Sequence, residues 1–315
     1  MLAARTVLHG RPSLHFLVPA VACLSSKSPP AAHIAKLPLF LKPLKYSATV
    51  KDLQVWHSWA ADLATSVGSS FVHMDNGPDS DLLKRELNWL LEDSLADVSV
   101  SKHLRSAVAE DPTLSVSTRL PLDELYNLWE ERIVRRRPFQ YVVGCEHWRD
   151  MVLCVQEGVL IPRPETEIIV DLVEEAIGSA RLGNGVWADL GTGSGAIAIG
   201  IARVLGASGS VIATDVSPVA IRVASFNIHR YELQDKIEVR EGNWFDPLKD
   251  VEGKLAGLVS NPPYIPSDDI PVLQAEVGRH EPRLALDGGI SGMDCLQHLI
   301  DGAAAMLAPG GFFVL

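Results

Sequence analysis

The sequence predicts an α/β fold, a parallel sheet wound on both faces and preceded by a small helical domain. Three observations carry this. From Val186 onward short apolar runs alternate with helical patterns. Residues from about Lys51 to Pro138 show helical periodicity alone. The first and fourth apolar runs end in residues suited to holding a ligand, "DLGTGSG" and "NPPY". Alternating βαβα units imply parallel strands with helices on both faces.

Residues 1–50 contain no Asp or Glu but carry Arg5, Arg11, Lys27, Lys36, Lys42 and Lys45, with several serines. That composition is expected of a transit peptide or disordered leader, which points to an organelle, plastid or mitochondrion. Without it, 22 basic residues face 39 acidic ones, a net of −17 against −11 for the 315-residue chain. Such a body repels polyanions, so bulk nucleic-acid binding is not expected. No stretch approaches the roughly 20 apolar residues of a membrane helix, and no membrane partner is expected. Cys23, Cys145, Cys154 and Cys295 are too scattered for a zinc ribbon or redox pair and are expected to be reduced.

In the next region Leu83, Leu87, Leu90, Leu91 and Leu95 form one helical stripe, with Asp79, Ser80 and Asp81 as capping candidates. A second helix, residues 122–136, ends in "RIVRRRP". Its basic residues suit the negative end of the helix dipole and read as a solvated helix end. "FQYVVGCEHWRDMVLCV" reads as β-rich, broken at Gly144. "LIPRPETEIIVDLVEEAIG" then places Pro162 and Pro164 before a helix, with Glu165 and Glu167 in its first turn.

The sheet follows as "VWADLG", "SVIATDV", "KIEVREG", "LAGLVSN" and "GGFFVL". Between the first strand and its helix, Asp189, Gly191, Thr192, Gly193, Ser194 and Gly195 form a loop whose glycines permit sharp turns and close approach to a ligand. Asp215, closing the second strand, is placed to accept hydrogen bonds from two ribose hydroxyls. Capping of the next helix is the alternative. Loop and acid together indicate a nucleoside-bearing cofactor, without choosing between NAD and S-adenosylmethionine. Asn243 and Trp244 follow the third strand, where Trp244 either borders an adenine or fills the core.

"VSNPPYI" narrows the choice. Two prolines cannot continue a ladder, so the fourth strand ends in a stiff corner bearing Asn261, Pro262, Pro263 and Tyr264. In a doubly wound sheet this corner neighbours the glycine loop. The arrangement resembles the class I S-adenosylmethionine-dependent methyltransferases, in which Asn-Pro-Pro-Tyr marks enzymes acting on a planar amide or amine nitrogen. The ordered set "RRRPFQYVVG", "LIPRPETE", "DLGTGSGAIAI", "GNWF", "VSNPPYI" and "EPRLALDGG" is similar to the protein-glutamine methyltransferases of peptide-chain release factors.

The resemblance implies a Rossmann-like methyltransferase sheet over 164–315, a β-hairpin linker at 139–163 and a helical substrate-recognition domain at 51–138. It places S-adenosylmethionine among Gly191 to Gly195, Asp215, Trp244 and Asn261. Asn261 and the Pro262 carbonyl would accept both hydrogens of the glutamine amide, Pro263 would stiffen the corner and Tyr264 would pack on the flat group. No metal is needed, and a monomer is expected. Family members continue past "GGFFVL" with a helix and two strands, so a chain ending at Leu315 is expected to leave an apolar sheet edge. The rival expectations are a DNA or RNA base-amine methyltransferase and a non-catalytic release-factor-binding protein.

Overall fold

The computed structural model describes residues 37–96, 101, 111–178 and 181–315, which divide into two compact units. Of the leader expected over residues 1–50, residues 1–36, with Cys23 among them, lie outside the described residues. For residues 37–50 the structure corrects that expectation. Leu39 is buried, and β1 (Tyr46–Thr49) pairs antiparallel with β2 (Ser115–Thr118).

The first unit comprises residues 37–145 together with Asp269–Glu281. Its helices are α1 (Val50–Val67), α2 (Ser70–Asp75), α3 (Ser80–Ser94), α4 (Leu122–Val134) and α5 (Phe139–Val143). Thr49 caps α1 by accepting from the Asp52 N–H, and Asp79 caps α3 by accepting from Leu82 N–H at 2.8 Å. The leucine stripe of α3 is buried throughout, each side chain worth about 1.5–3 kcal/mol of apolar transfer. On α1, Leu53, Trp56, Ala60 and Ala64 recur every three or four residues and are fully buried. Trp129 on α4 donates its indole N–H to the Ala60 carbonyl at 2.9 Å.

Two expectations fail here. Phe139–Val143 is a helical turn rather than a strand. Pro138 starts it, Gly144 at φ +80° ends it, and burial of four of its five residues favours a turn that satisfies its own backbone. The basic end of α4 is not solvated either, because Arg132 and Arg136 are 2% and 3% exposed. Arg132 donates to Glu86 through Nε (2.7 Å) and Nη2 (3.2 Å), and to Glu276 through Nη1 (2.9 Å). Arg136 donates twice to Glu276, both at 2.6 Å, and to Asp75 at 2.9 Å, with its guanidinium 4.0 Å from the Phe71 ring centre. Arg135 is exposed, 3.1 Å from Glu131, and Arg137 is half-buried.

The second unit, Glu146–Asp268 with Pro282–Leu315, holds the sheet. A hairpin of β3 (Cys145–Trp148) and β4 (Met151–Cys154) leads into α6 (Glu167–Gly178). Then come β5 (Val186–Leu190), α7 (Ala196–Val204), β6 (Ser210–Asp215), α8 (Pro218–Arg230), β7 (Ile237–Glu241), β8 (Leu255–Ser260), α9 (Asp294–Met306) and β9 (Leu307–Val314). The strands lie in the order β7-β6-β5-β8-β9, and every pairing is parallel. The switch in direction falls between β5 and β8, and β9 is an edge.

Strand side chains alternate between two cores. Trp187, Val211, Ala213 and Val259 pack with α6, α7 and α8 on one face. Ala188, Leu190, Ile212 and Leu258 pack with Leu299 and Met306 of α9 and with Leu248 on the other. This period-two pattern, apolar on both faces, is what a sheet covered by helices on both sides requires. Among the described residues no helix is long and apolar enough to cross a membrane, Cys154 and Cys295 are free thiols, and Cys145 is buried.

Candidate active site

A cavity opens at the carboxyl ends of β5, β6, β7 and β8, around the switch point. It is lined by Gly191–Ser194 after β5, Asp215–Ser217 after β6, Gly242–Trp244 after β7 and Asn261–Pro263 after β8. Pro162, Arg163 and Thr166, with Pro282, Leu284, Ala285 and Asp287, also line it. Ligands of open α/β sheets sit at this place because the strand ends diverge there and leave backbone groups free.

The glycine loop is held from beneath. Asp189 is fully buried, and its Oδ2 accepts from Thr192 Oγ1 (2.6 Å) and from Ala198 N–H (3.1 Å). Burial pushes its carboxyl up to about 7 against the pull of those two donors, and the Asp215 charge adds to the rise. At Gly195 the backbone turns at φ +83°, and a Cβ there would lie 3.4 Å from Ala224 of α8. Asn227, also on α8 and fully buried, donates to the carbonyls of Ser194 (2.9 Å) and Cys154 (3.0 Å) and accepts from Cys154 N–H (2.8 Å). One amide thus fixes the end of the loop to β4.

Asp215 bridges two segments, accepting from Gly193 N–H through Oδ2 and from Ser217 N–H through Oδ1, both at 2.9 Å. Burial raises its pKa, opposed by the N–H groups of Ser217, Gly193 and Val216. The two oxygens of a carboxylate offer about four acceptor sites, so capacity beyond these N–H groups remains for a hydroxyl. Trp244, at φ +43°, lines the cavity beside Gly191 and, partly buried, packs against the α9 core and His298.

The corner after β8 is fixed where it leaves the sheet. Ser260 Oγ donates to the Leu190 carbonyl at 2.7 Å, tying the ends of β8 and β5 together. Asn261 Nδ2 lies 3.3 Å from Thr166 Oγ1, to which it donates, leaving Oδ1 as the amide's acceptor.

A family model described as Ribosomal protein L11 methyltransferase (PrmA) matches residues 164–261. Over 200 residues the chain is 44% identical to the release factor glutamine methyltransferase of Thermosynechococcus vestitus, covering 64% of this chain and 68% of that one. Over 232 residues it is 38% identical to the release factor glutamine methyltransferase of Synechocystis sp., covering 73% and 76%. The chain belongs to the release factor glutamine methyltransferase family.

The parallel β7-β6-β5-β8-β9 sheet is the Rossmann-like arrangement expected from the sequence, and the methyl donor expected of this family is S-adenosylmethionine. The cavity suits that molecule, with a glycine-rich approach, a half-buried two-oxygen acceptor at Asp215 and a flat apolar wall at Trp244. Of the residues singled out from the sequence, Gly191, Thr192, Gly193, Ser194, Asp215, Asn243, Trp244, Asn261, Pro262 and Pro263 meet at this one cavity. Asp189 and Gly195 lie behind the loop rather than on the lining, and Tyr264 is 58% exposed at the surface. Glu165 and Glu167 stay outside the lining, while Thr166 between them joins it. Thr166 and Asn227 escaped the sequence reading. Asn227 had a visible signal, an amide on the apolar stripe of α8 after Ala220, Val223 and Ala224.

Proposed function

We propose that this chain, acting as a monomer, methylates the side-chain amide nitrogen of the glutamine in the Gly-Gly-Gln loop of a peptide-chain release factor. The observation that carries this reading is the meeting of Asn261 and Pro262 with the glycine loop and Asp215 in one cavity, in a chain of this family. S-adenosylmethionine supplies, when bound, a methyl carbon on a positively charged sulfur, ready for displacement.

An amide nitrogen is a weak nucleophile because its lone pair is delocalised into the carbonyl. Asn261 Oδ1 and the Pro262 carbonyl accept its two hydrogens and hold the nitrogen facing the methyl carbon. Fixing the pair in this way supplies much of the acceleration, since effective molarities correspond to roughly 7–11 kcal/mol. Asp215 anchors the donor through its hydroxyls, and Pro263 keeps the corner from yielding. With the amide nitrogen held by Asn261 and Pro262, the bound donor would supply its methyl carbon to that nitrogen, its sulfur keeping the bonding electrons. The surplus amide proton then passes to water. Tyr264, exposed beside the corner, packs on the incoming glutamine. A net charge of −17 beyond residue 50 favours a protein over a polyanion as substrate.

The test is mass spectrometry of a release factor incubated with this chain and S-adenosylmethionine, beside a factor whose loop glutamine is replaced by alanine. One added methyl on the intact factor alone is expected, and transfer to both or to neither overturns the reading. We also propose an organellar location, plastid or mitochondrion, supported by the absence of Asp and Glu from residues 1–50. Residues 1–36 fused to a fluorescent protein are expected to direct it into an organelle, and diffuse cytosolic signal would refute this.

A further inference from the structure

Asp287 lines the cavity but has no part in the chemistry described above. Its carboxylate is nonetheless fully engaged. Oδ1 accepts from Ser267 Oγ at 2.6 Å and from Gly289 N–H at 3.0 Å, and Oδ2 accepts from Arg283 Nε at 2.9 Å. Ser267 lies three residues beyond Tyr264, so the first of these bonds grips the leg by which the chain leaves the Asn261–Tyr264 corner.

The backbone around Asp287 grips the same leg. Ile265 N–H donates to the Leu286 carbonyl at 3.0 Å, Gly288 N–H to the Ile265 carbonyl at 2.8 Å, and Ser267 N–H to the Gly289 carbonyl at 2.9 Å. Together they form a parallel bridge between Ile265 and Asp287. A Cβ at Gly288 would stand 2.7 Å from the Tyr264 Cα, so this approach requires glycine. The other leg of the corner is the end of β8, held by Ser260. A corner whose prolines restrict it internally, and whose two legs are each fastened, has little freedom left to misplace a carbonyl.

We propose that Asp287 is a positioning residue for methyl transfer. It clamps the outgoing leg of the Asn-Pro-Pro-Tyr corner and so sets where the Pro262 carbonyl stands relative to the target nitrogen. The proposal rests on the reaction assigned above. A carboxylate suits the task because it accepts from a hydroxyl, a backbone N–H and a guanidinium at once. The Ser267, Gly289 and Arg283 donors hold its pKa below the usual value, so the clamp is ionised at neutral pH. Most of the expected donor contacts, at the glycine loop, Asp215 and Trp244, lie on segments that the Asp287 hydrogen bonds do not touch.

The test compares Asp287→Ala and Asp287→Asn with the parent chain. In Asp287→Ala, kcat at saturating release factor is expected to fall about tenfold or more, while the Kd for S-adenosylmethionine, read by calorimetry, stays within about threefold. Asp287→Asn keeps an oxygen for Ser267 and Gly289 and is expected to restore kcat to within about threefold of the parent. Hydrogen exchange without any substrate gives a reading that does not depend on activity. Amides of residues 262–267 are expected to exchange faster in Asp287→Ala, and those of residues 191–195 unchanged. A kcat within threefold of the parent in Asp287→Ala overturns the proposal. So does loss of donor affinity in step with kcat, an Asn variant as impaired as the Ala one, or exchange that rises throughout the unit or not at all. Should the parent transfer no methyl, the release-factor reading fails while the exchange result still decides whether Asp287 clamps the corner.

Discussion

Both units of this protein bury carboxylates, and they treat them in opposite ways. In the helical unit Glu86 and Glu276 each face a guanidinium at hydrogen-bond distance. Burial alone would raise the pKa of Glu276, but hydrogen bonds and charge from Arg136 and Arg132 outweigh it and leave it lowered. In the sheet unit Asp189 and Asp215 are met by a hydroxyl and backbone N–H groups, and burial wins in both, raising each pKa. The difference separates a structural use of charge from a functional one. A matched ion network has no capacity left for a ligand. A carboxylate held by dipoles keeps lone pairs and responds to what enters the cavity.

The comparison is broken most severely by Arg132→Ala. It strands Glu86 beside Glu276 with one arginine fewer, and removing one partner of a buried pair costs about 3–5 kcal/mol. Urea unfolding of the helical unit is expected to show that loss, whereas a change under 1 kcal/mol would mean that water replaces the guanidinium.

Asp189 supplies a subtler test through pH. Its folded pKa of about 7 lies above the ordinary 3.8, so between these values the folded chain holds a proton that the unfolded chain has lost. Stability from this group therefore declines as pH rises from about 4 to about 7 and is level above that. The whole decline is worth up to about 4 kcal/mol, at 1.36 kcal/mol per unit. Asp189→Asn is expected to remove most of this slope and leave the smaller one from Asp215. A slope equal to the parent's would place the proton elsewhere.

Much of the sheet unit was legible in the sequence because its signals are local. Apolar runs of five or six residues separated by helical periods fix β5 to β9, and each predicted loop lies at a strand's carboxyl end, where topology gathers them. Gly191, Asp215 and Asn261 meet for that reason. What escaped was non-local or ambiguous by nature. Arg132 and Arg136 look like any basic helix end until Glu276, far along the chain, arrives to pair them. Phe139–Val143 is a short apolar run rich in aromatic and β-branched residues, which periodicity cannot assign. Its Pro138 and Gly144 flanks are the cue that decides for a helical turn. Thr166 was hidden by the two glutamates beside it, which serve the start of α6.

Residues Asp269–Glu281 belong to the helical unit although the chain around them belongs to the sheet. Glu276 reaches Arg136 across 140 residues of sequence and Arg132 across 144. On the ribosome the helical unit is therefore synthesised long before it can be finished, and its two arginines wait for their shared carboxylate through the production of four sheet strands. Folding cannot proceed strictly from the amino terminus, because the last piece of the early unit comes out inside the late one. A gene fragment ending at Cys145 would encode the helices with Arg136 lacking its main partner. The chain order interleaves the two units.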